Sequence, residues 1–477
     1  MLDFSKLQEE LTAMGVAGKG QDTVKTASDK VPAGDGAQVS GSGEVEVSDD
    51  GVKVEVEWLA QDEGKPSQEA DDKLSSLKNL IDRLFKDSDI DVPRRQSADD
   101  LLKSLLDVQE MYLAGNADYR RNLPELLAAA EVEAKNGNSR LCEVLGTTCL
   151  ILDPESLGKS RSECVMDAIN WYYKASCDTA YRRRAACGMQ IARLSFKPKF
   201  MNLNWRQAAE WFEWAAVELK GSDAAMAAEA YMELGRIAEC QGRYEDAAGW
   251  WKKADEVSGN SRGKSEQYRM QIVRGLDQFG GMDGLKALAR SGEPYAAIAI
   301  VELTWTLQFP DELNETVPYD ELPDMLRSFS ESLPDAKAAL ASLKFGENGS
   351  EGYVENIEAE DYFIELTDAA SHNSTLACYF LGKCYTGQLG HAIDTDMSSE
   401  DLAALAGKAL HYFSAAAGEG FVPAIKDFVL VNSICYGFDA DTSRYCDILD
   451  IFGESKYADG FRSDKDNIDA DKLFSEA

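Results

Sequence analysis

Apolar residues recur at intervals of three and four through most of this chain, which places them on one face of an α-helix. The segments LSSLKNLIDRLF and ADDLLKSLLDVQEMYL show this spacing on either side of Pro93. After residue 73 no segment shows the strict alternation of apolar and polar residues that is typical of strands. The pattern therefore predicts an all-α body that begins with a helical lead-in over residues 73–118.

Residues 1–72 form a segment of different composition, rich in Gly, Ser, Asp, Glu and Lys. Such a segment buries too little apolar surface to offset the entropy of ordering, so we expect an acidic, mostly disordered arm. Residues 4–14 have the spacing of a short amphipathic helix. Residues 43–59 alternate valine with charged residues around Asp50-Gly51, which predicts a β-hairpin. A lone hairpin is marginal in water, so it lies on the main body, pairs with a partner strand, or is weakly populated within a disordered arm.

A repeated motif runs through the middle of the chain: alanine, an aromatic residue four positions on, and alanine three positions further. Its copies, 40 and 39 residues apart, are Ala168-Tyr172-Ala175, Ala208-Phe212-Ala215 and Ala247-Trp251-Ala254. A pair that contains glycine precedes each copy, at Leu145-Gly146, Cys187-Gly188 and Leu234-Gly235. Small residues beside bulky ones on one helix face let neighbouring helices approach closely. A period of about 40 residues with two helices per unit is typical of an α-solenoid.

The segment AEAYMELGRIAECQGRYEDAAGWWKKA resembles a tetratricopeptide repeat. The residues at that motif's signature spacings are Tyr231, Leu234, Gly235, Ala238, Tyr244, Ala247, Trp251 and Ala254. A later segment is similar to the related Sel-one-like repeat, through Leu381-Gly382, Tyr385, Gly387, Ala409, Phe413, Ala416, Ala417 and Gly420. Gly382 and Ala409 are 27 residues apart, against 12 for Gly235 and Ala247, which indicates an inserted loop.

The resemblance implies an α-α superhelical solenoid built from helix-pair repeats of about 40 residues. We expect a first repeat block over residues 119–300, degenerate repeats or a connector over 301–352, and a second block over 353–438. The number of repeats between 255 and 360 stays open. Residues 439–477 are acidic and loop-like, and we expect a cap followed by a charged tail.

The overall charge excludes some classes of partner. The 477 residues include 49 Lys and Arg against 84 Asp and Glu, a net charge of −35. This charge repels nucleic acids and anionic lipids, so we expect neither as a partner. No apolar run approaches the ~20 residues of a membrane span, and the first residues carry charges where a signal peptide is apolar, so we expect a cytoplasmic protein. The ten cysteines include no CxxC pair and should be reduced.

Three patterns that resemble ligand sites depart from their motifs. The chain has three histidines, His372, His391 and His411, none at a metal-binding spacing. Asp394-x-Asp396-x-Ser398 lacks the glycine and the bidentate glutamate of a calcium loop, and Ser398 is better interpreted as a helix cap. The sequence GNSRGKS, residues 259–265, has one residue too few between its glycines for a phosphate loop and predicts an inter-repeat turn. We therefore predict no enzyme activity, no metal and no cofactor.

One stretch inverts the charge of this acidic chain. It contains eight basic residues, with Asp178 as the only acid: Lys174, Arg182, Arg183, Arg184, Arg193, Lys197, Lys199 and Arg206. Three interpretations are open: a surface that receives an acidic peptide or a phosphate, a solvated face, or a site for the chain's own acidic tails.

The predicted function follows from the repeat architecture. Stacked repeats expose a long surface, and the resemblance implies a protein-binding scaffold or adaptor whose concave groove holds a peptide or a partner helix. The partner is then a protein or peptide, acidic if it binds the basic stretch. The alternatives are a regulatory subunit or an enzyme with a site in the loops, and a self-assembling architectural array. The sequence leaves the oligomeric state open.

Overall fold

The computed structural model divides the chain into two units, Met1–Ser97 and Ala98–Ala477. In the first unit it describes the backbone of two antiparallel strands, β1 (Glu44–Ser48) and β2 (Gly51–Glu55). In the second it describes residues 97–463 except 201–202, 307–308, 349–356 and 394–397. The predicted N-terminal amphipathic helix, the helix over LSSLKNLIDRLF and the last part of the tail lie outside the described residues. An ordered hairpin within the arm stays a prediction.

The described part of the second unit is all-helical, as the spacing of apolar residues predicts. Its α-helices are α1 (Ala98–Leu113), α2 (Leu123–Lys135), α3 (Ser139–Ile151), α4 (Arg161–Cys177), α5 (Arg184–Phe196), α6 (Trp205–Leu219), α7 (Ala224–Cys240), α8 (Tyr244–Ser258), α9 (Arg262–Val273), α10 (Gln278–Arg290), α11 (Pro294–Thr306), α12 (Asp311–Asn314), α13 (Leu322–Arg327), α14 (Pro334–Asn348), α15 (Asp361–Ser371), α16 (Thr375–Ile393), α17 (Ser399–Gly418), α18 (Val422–Tyr436), α19 (Ala440–Ile451) and α20 (Ser455–Ser463). Short 3-10 turns are formed by Ala117–Arg120, Pro154–Leu157, Pro198–Phe200 and Ile357–Ala359.

Polar side chains define several helix starts. Ser160 and Glu163 form a capping box at the start of α4, in which each side chain bonds the other residue's backbone amide. Ser398 accepts a hydrogen bond from the amide of Asp401, which confirms the helix cap predicted there. Residues 440–451 and 455–463, whose composition suggests loops, form α19 and α20. They are helical because Ile448 and Leu449 supply an apolar face that packs into the core. The cap and charged tail expected over 439–477 stay predictions.

From α3 to α20, each long helix packs against the next long helix along the chain. Alternate helices also pack on one another, as α9 does on α11, α11 on α14 and α14 on α16. This consecutive packing is consistent with an α-solenoid. The helices that begin successive pairs start 32 to 47 residues apart, so the length of a pair varies. A regular period of about 40 residues therefore stays a prediction.

The nine residues of the repeated motif are all buried. The glycines that precede the motif let an aromatic ring contact the facing helix. A Cβ at Gly146 would lie 3.1 Å from the ring of Tyr172, and a Cβ at Gly235 would overlap the ring of Trp251. A Cβ at Gly382 would likewise overlap the ring of Phe413. Each glycine thus fixes the approach of two paired helices through close contact with a ring.

The turn between α19 and α20 packs back onto early parts of the unit, an arrangement that we call the closure. The ring of Phe452 lies 5.9 Å from that of Phe196 and 5.4 Å from that of Trp205. Glu454 accepts a hydrogen bond from Arg274 at 2.9 Å. In an open solenoid each repeat contacts only its neighbours, whereas these contacts join residues 180 or more positions apart.

Candidate functional site

Most of the basic stretch is engaged in ion pairs with the chain's own glutamates. In the described part of the chain, six of the eight cations have a carboxylate partner, and the pairs are Arg183–Glu143, Arg184–Glu218, Arg193–Glu229, Lys197–Glu419, Lys199–Glu419 and Arg206–Glu210. The ammonium of Lys174 lies 4.3 Å from the ring centre of Trp171. Arg182 is exposed and has no ion pair among the described residues.

These cations do not form one surface patch. Arg183 and Arg184 lie at the start of α5, whereas Lys197 and Lys199 follow its end, about 20 Å away at 1.5 Å per residue. Burial acts to raise the pKa of Glu419, but Lys197 and Lys199 lower it overall. The pairs therefore link neighbouring helices, and those of Glu419 join the end of α17 to the end of α5. A partner-binding role for the stretch stays a prediction. Lys174 and Arg182 are its two residues without an ion pair in the described structure.

The inner face of the unit contains a small charged cavity. Its volume is about 150 Å³, and it lies where α7, α9 and α11 face the closure. Its charged lining residues are Arg236, Glu239, Glu266, Arg269, Arg274, Glu302, Lys426 and Glu454. An engineered cavity of about this volume holds one benzene molecule. Phe452 and Glu454 of the closure form part of the lining of the charged cavity.

The cavity's ionisable groups are mostly paired. Arg269 bonds both Glu239 and Glu266, each at 2.7 Å. Burial raises the pKa of Glu302 to about 7, although Arg269 opposes the shift. Burial also raises the pKa of the Cys240 thiol to about 12. That thiol is therefore protonated at neutral pH and is a poor nucleophile.

A larger, open groove lies on the other side of the helix pairs, between α15 and α17. Both helices pack on α16, and the groove between them has a volume of about 910 Å³. We call it the outer groove. Its lining residues include Glu358, Phe363, Ile364, Asp368, Tyr385, Ala404, Gly407, Lys408, His411 and Tyr412.

Aromatic side chains form the floor of the outer groove. The Tyr385 ring stacks on that of Tyr412 at 5.9 Å and meets that of Phe363 edge-on at 5.5 Å. Ile364 is 54 % exposed, although it is apolar and adjoins a buried phenylalanine. A Cβ at Gly407 would have no atom within 4 Å, so the wall formed by α17 leaves open space there. The groove thus presents apolar surface without a covering side chain.

A hydrogen-bond network holds one end of the groove in place. Glu358 follows a gap in the described chain and lies in a 3-10 turn before α15. Its carboxylate accepts hydrogen bonds from Lys408 at 2.6 Å and from the Tyr385 hydroxyl at 2.8 Å. These two bonds lower the pKa of Glu358. Because the carboxylate stays ionised and bonded, the ring of Tyr385 is fixed in the floor.

The remaining sequence candidates have structural roles. Gly259 ends α8 in a left-handed conformation, and α9 begins at Arg262. The turn predicted for residues 259–265 is therefore limited to residues 259–261, and residues 262–265 belong to α9. The amides of Gly263 and Lys264 donate to the Asp255 carboxylate, which occupies the place that a phosphate would need. All ten cysteines are free thiols. Residues 394–397 of the calcium-like run lie outside the described residues.

Within the described ranges, no group of three or more His, Cys, Asp and Glu residues is placed to hold a metal ion. Among the helices described, none combines the length and apolar character that a membrane span requires. Comparison of the chain with models of known protein families gives no match, and comparison with curated proteins gives none either.

Proposed function

We propose that this chain is a protein-binding scaffold or adaptor without catalytic activity, and that a partner binds in the outer groove. One observation carries the proposal: the groove exposes Ile364 beside a floor of stacked aromatic rings. Rigid aromatic side chains in a concave site contribute strongly to protein–protein binding. Apolar groups that stay exposed in a surface groove are typical of an interaction site.

The proposal places the partner on the outer side of the helix pairs. The resemblance to tetratricopeptide-like repeats favours a concave groove, but the inner cavity of about 150 Å³ is closed by Phe452 and its neighbours. The outer groove is about six times larger and is not covered by described residues. We also propose that the helix pairs are tetratricopeptide-like and Sel-one-like repeats, because small residues against bulky ones recur at their interfaces.

The test uses a bulky side chain to fill the groove. Gly407→Trp should fold, because a side chain at this position points into open space. Gly249→Trp is the matched control, since Gly249 is also exposed on a helix, α8, with no atom within 4 Å of a built Cβ. A photo-crosslinking amino acid at position 364 reports on what enters the groove.

We expect position 364 to crosslink a protein in extracts of the native cells, and this product to disappear in Gly407→Trp but not in Gly249→Trp. Light scattering of the purified chain distinguishes a partner from self-assembly, in which the crosslinked product is a second copy. Unchanged crosslinking in Gly407→Trp would show that the groove is not the binding site.

A further inference from the structure

The outer groove lies in a strongly acidic part of an acidic chain. From Glu358 to His411 the described residues include seven Asp and Glu, two Lys and no Arg. Of the two lysines, Lys408 pairs with Glu358, whereas Lys383 pairs with Asp427, which lies outside this stretch. The region around the groove therefore carries a large excess of negative charge.

Cations from the neighbouring helix α14 compensate only part of this excess. Lys344 bonds Glu365 at 2.8 Å, and Lys337 bonds Asp368. Four exposed carboxylates have no ion pair among the described residues: Glu360, Asp361, Glu400 and Asp401. They flank the starts of α15 and α17, the two helices that form the groove walls.

The walls also define the shape of an occupant. Glu400, Ala404, Gly407 and His411 follow one another at intervals of four, three and four residues, so they share one face of α17. The small residues form the apolar stretch of this face, and Glu400 adds an unpaired carboxylate at one end. The groove has two helices as walls and aromatic rings between them. This arrangement is typical of a groove that binds the apolar face of an amphipathic helix.

We infer that the occupant of the outer groove is a positively charged amphipathic helix. Its apolar face packs against Ile364 and Tyr412, and its Lys and Arg residues face the unpaired carboxylates at the starts of α15 and α17. This inference rests on the proposed function, because it assumes that the groove binds a protein segment. It adds the partner's secondary structure and the sign of its charge.

A display library provides the test. Its members share an amphipathic helical scaffold of about four turns, with the polar face randomised so that the mean net charge is zero. Selection uses the full chain, with removal of clones that also bind Gly407→Trp. Dissociation constants of the enriched peptides are then measured by fluorescence anisotropy at low and high salt.

We expect enriched peptides with a clear excess of Lys and Arg, whose affinity falls ~10-fold in Gly407→Trp and changes less than about twofold in Gly249→Trp. Their affinity should also fall as salt rises, because exposed charges are screened. Neutral or acidic enriched peptides that still depend on Gly407 would overturn the charge assignment and leave the groove function intact. A selection without Gly407-dependent binders would overturn the helix inference, while the crosslinking experiment separately decides the proposed function.

Variants that lack carboxylates show whether the basic peptide is attracted by the groove or by the whole chain. Glu360→Gln/Asp361→Asn/Glu400→Gln removes three unpaired carboxylates beside the groove, and Asp99→Asn/Asp107→Asn/Glu110→Gln removes three exposed ones on α1. The first variant should weaken a selected basic peptide at least ~3-fold, and the second less than about twofold. Equal effects would mean that the net charge of the whole chain attracts the peptide, and would overturn the local assignment.

Discussion

At the scale of single residues, glycines determine how closely paired helices approach. The ring of Trp251 lies where a Cβ of Gly235 would be, and the ring of Phe413 does the same at Gly382. Gly407 is the opposite case, because it faces the open groove. The same residue type therefore has opposite consequences for stability at different sites on the helix surface.

Gly235→Ala should lower the free energy of unfolding by about 1–3 kcal/mol, because the added methyl group overpacks a filled interface. Gly407→Ala should be neutral or stabilising by about 0.5–1 kcal/mol, since alanine loses less backbone entropy than glycine in a helix. Urea unfolding followed by circular dichroism measures both. Identical midpoints for the two variants would contradict the close packing at Gly235.

Glu302 gives the stability a specific pH dependence. Its pKa is raised to about 7 in the folded chain. The group therefore costs no stability below its unfolded pKa, and the cost grows as pH rises from that value to about 7, above which it is complete. Glu302→Gln should therefore be more stable than the wild type at pH 8, by about 2 kcal/mol after allowance for solvent screening. The difference should shrink towards pH 5. Parallel unfolding curves across this range would show that Glu302 is not desolvated.

At the scale of helices, the basic stretch serves mainly to connect elements. Arg183 bonds Glu143 of α3 at 2.6 Å, and this bond raises the pKa of the guanidinium. Arg182, next to it, has no such partner among the described residues. Neighbours in sequence thus have different structural roles, which the run of like charges does not indicate.

Arg183→Glu should lower the free energy of unfolding by about 1 kcal/mol, because it replaces an exposed ion pair with two facing carboxylates. Arg182→Glu should change it by less than about 0.5 kcal/mol. Thermal unfolding at low salt measures the difference, and added salt should reduce it. Equal effects of the two substitutions would indicate that the Arg183–Glu143 pair contributes nothing.

The helices and their buried faces were predictable from sequence because both depend on residues three or four positions apart. The motif residues Ala168, Phe212 and Trp251 are buried for this reason. The outer groove was not predictable. Ile364 follows a buried phenylalanine in an apolar run, and the run does not indicate which of its members faces solvent.

At the scale of the whole second unit, the closure joins the turn between its last two helices to early helices. Phe452 lies between aromatic rings more than 200 positions earlier, and Glu454 connects Arg274 with Lys426. Contacts this distant in sequence leave no periodic pattern, so the sequence predicted an open solenoid surface. Phe452 and Glu454 of the closure also line the small charged cavity on the inner face.

Phe452→Ala/Glu454→Gln should remove the closure. The loss of a buried aromatic ring alone costs about 3–5 kcal/mol, and the substitution to glutamine also weakens two ion pairs. Hydrogen exchange should speed up in α19 and α20 and, at the same time, in α7 and α9. Exposed Leu276→Ala is the control and should change neither region. Faster exchange confined to α19 and α20 would show that the inner face does not depend on the closure.

The closure also has a consequence during synthesis on the ribosome. Phe196 leaves the ribosome 256 residues before Phe452, its stacking partner. At typical translation rates of about 5–20 residues per second, this delay lasts roughly 10 to 50 seconds. During that interval the inner face, with its arginines and glutamates unpaired across the closure, is open to water and to chaperones. The early helices can form as they emerge, but the charged cavity is complete only when nearly the whole chain has been translated.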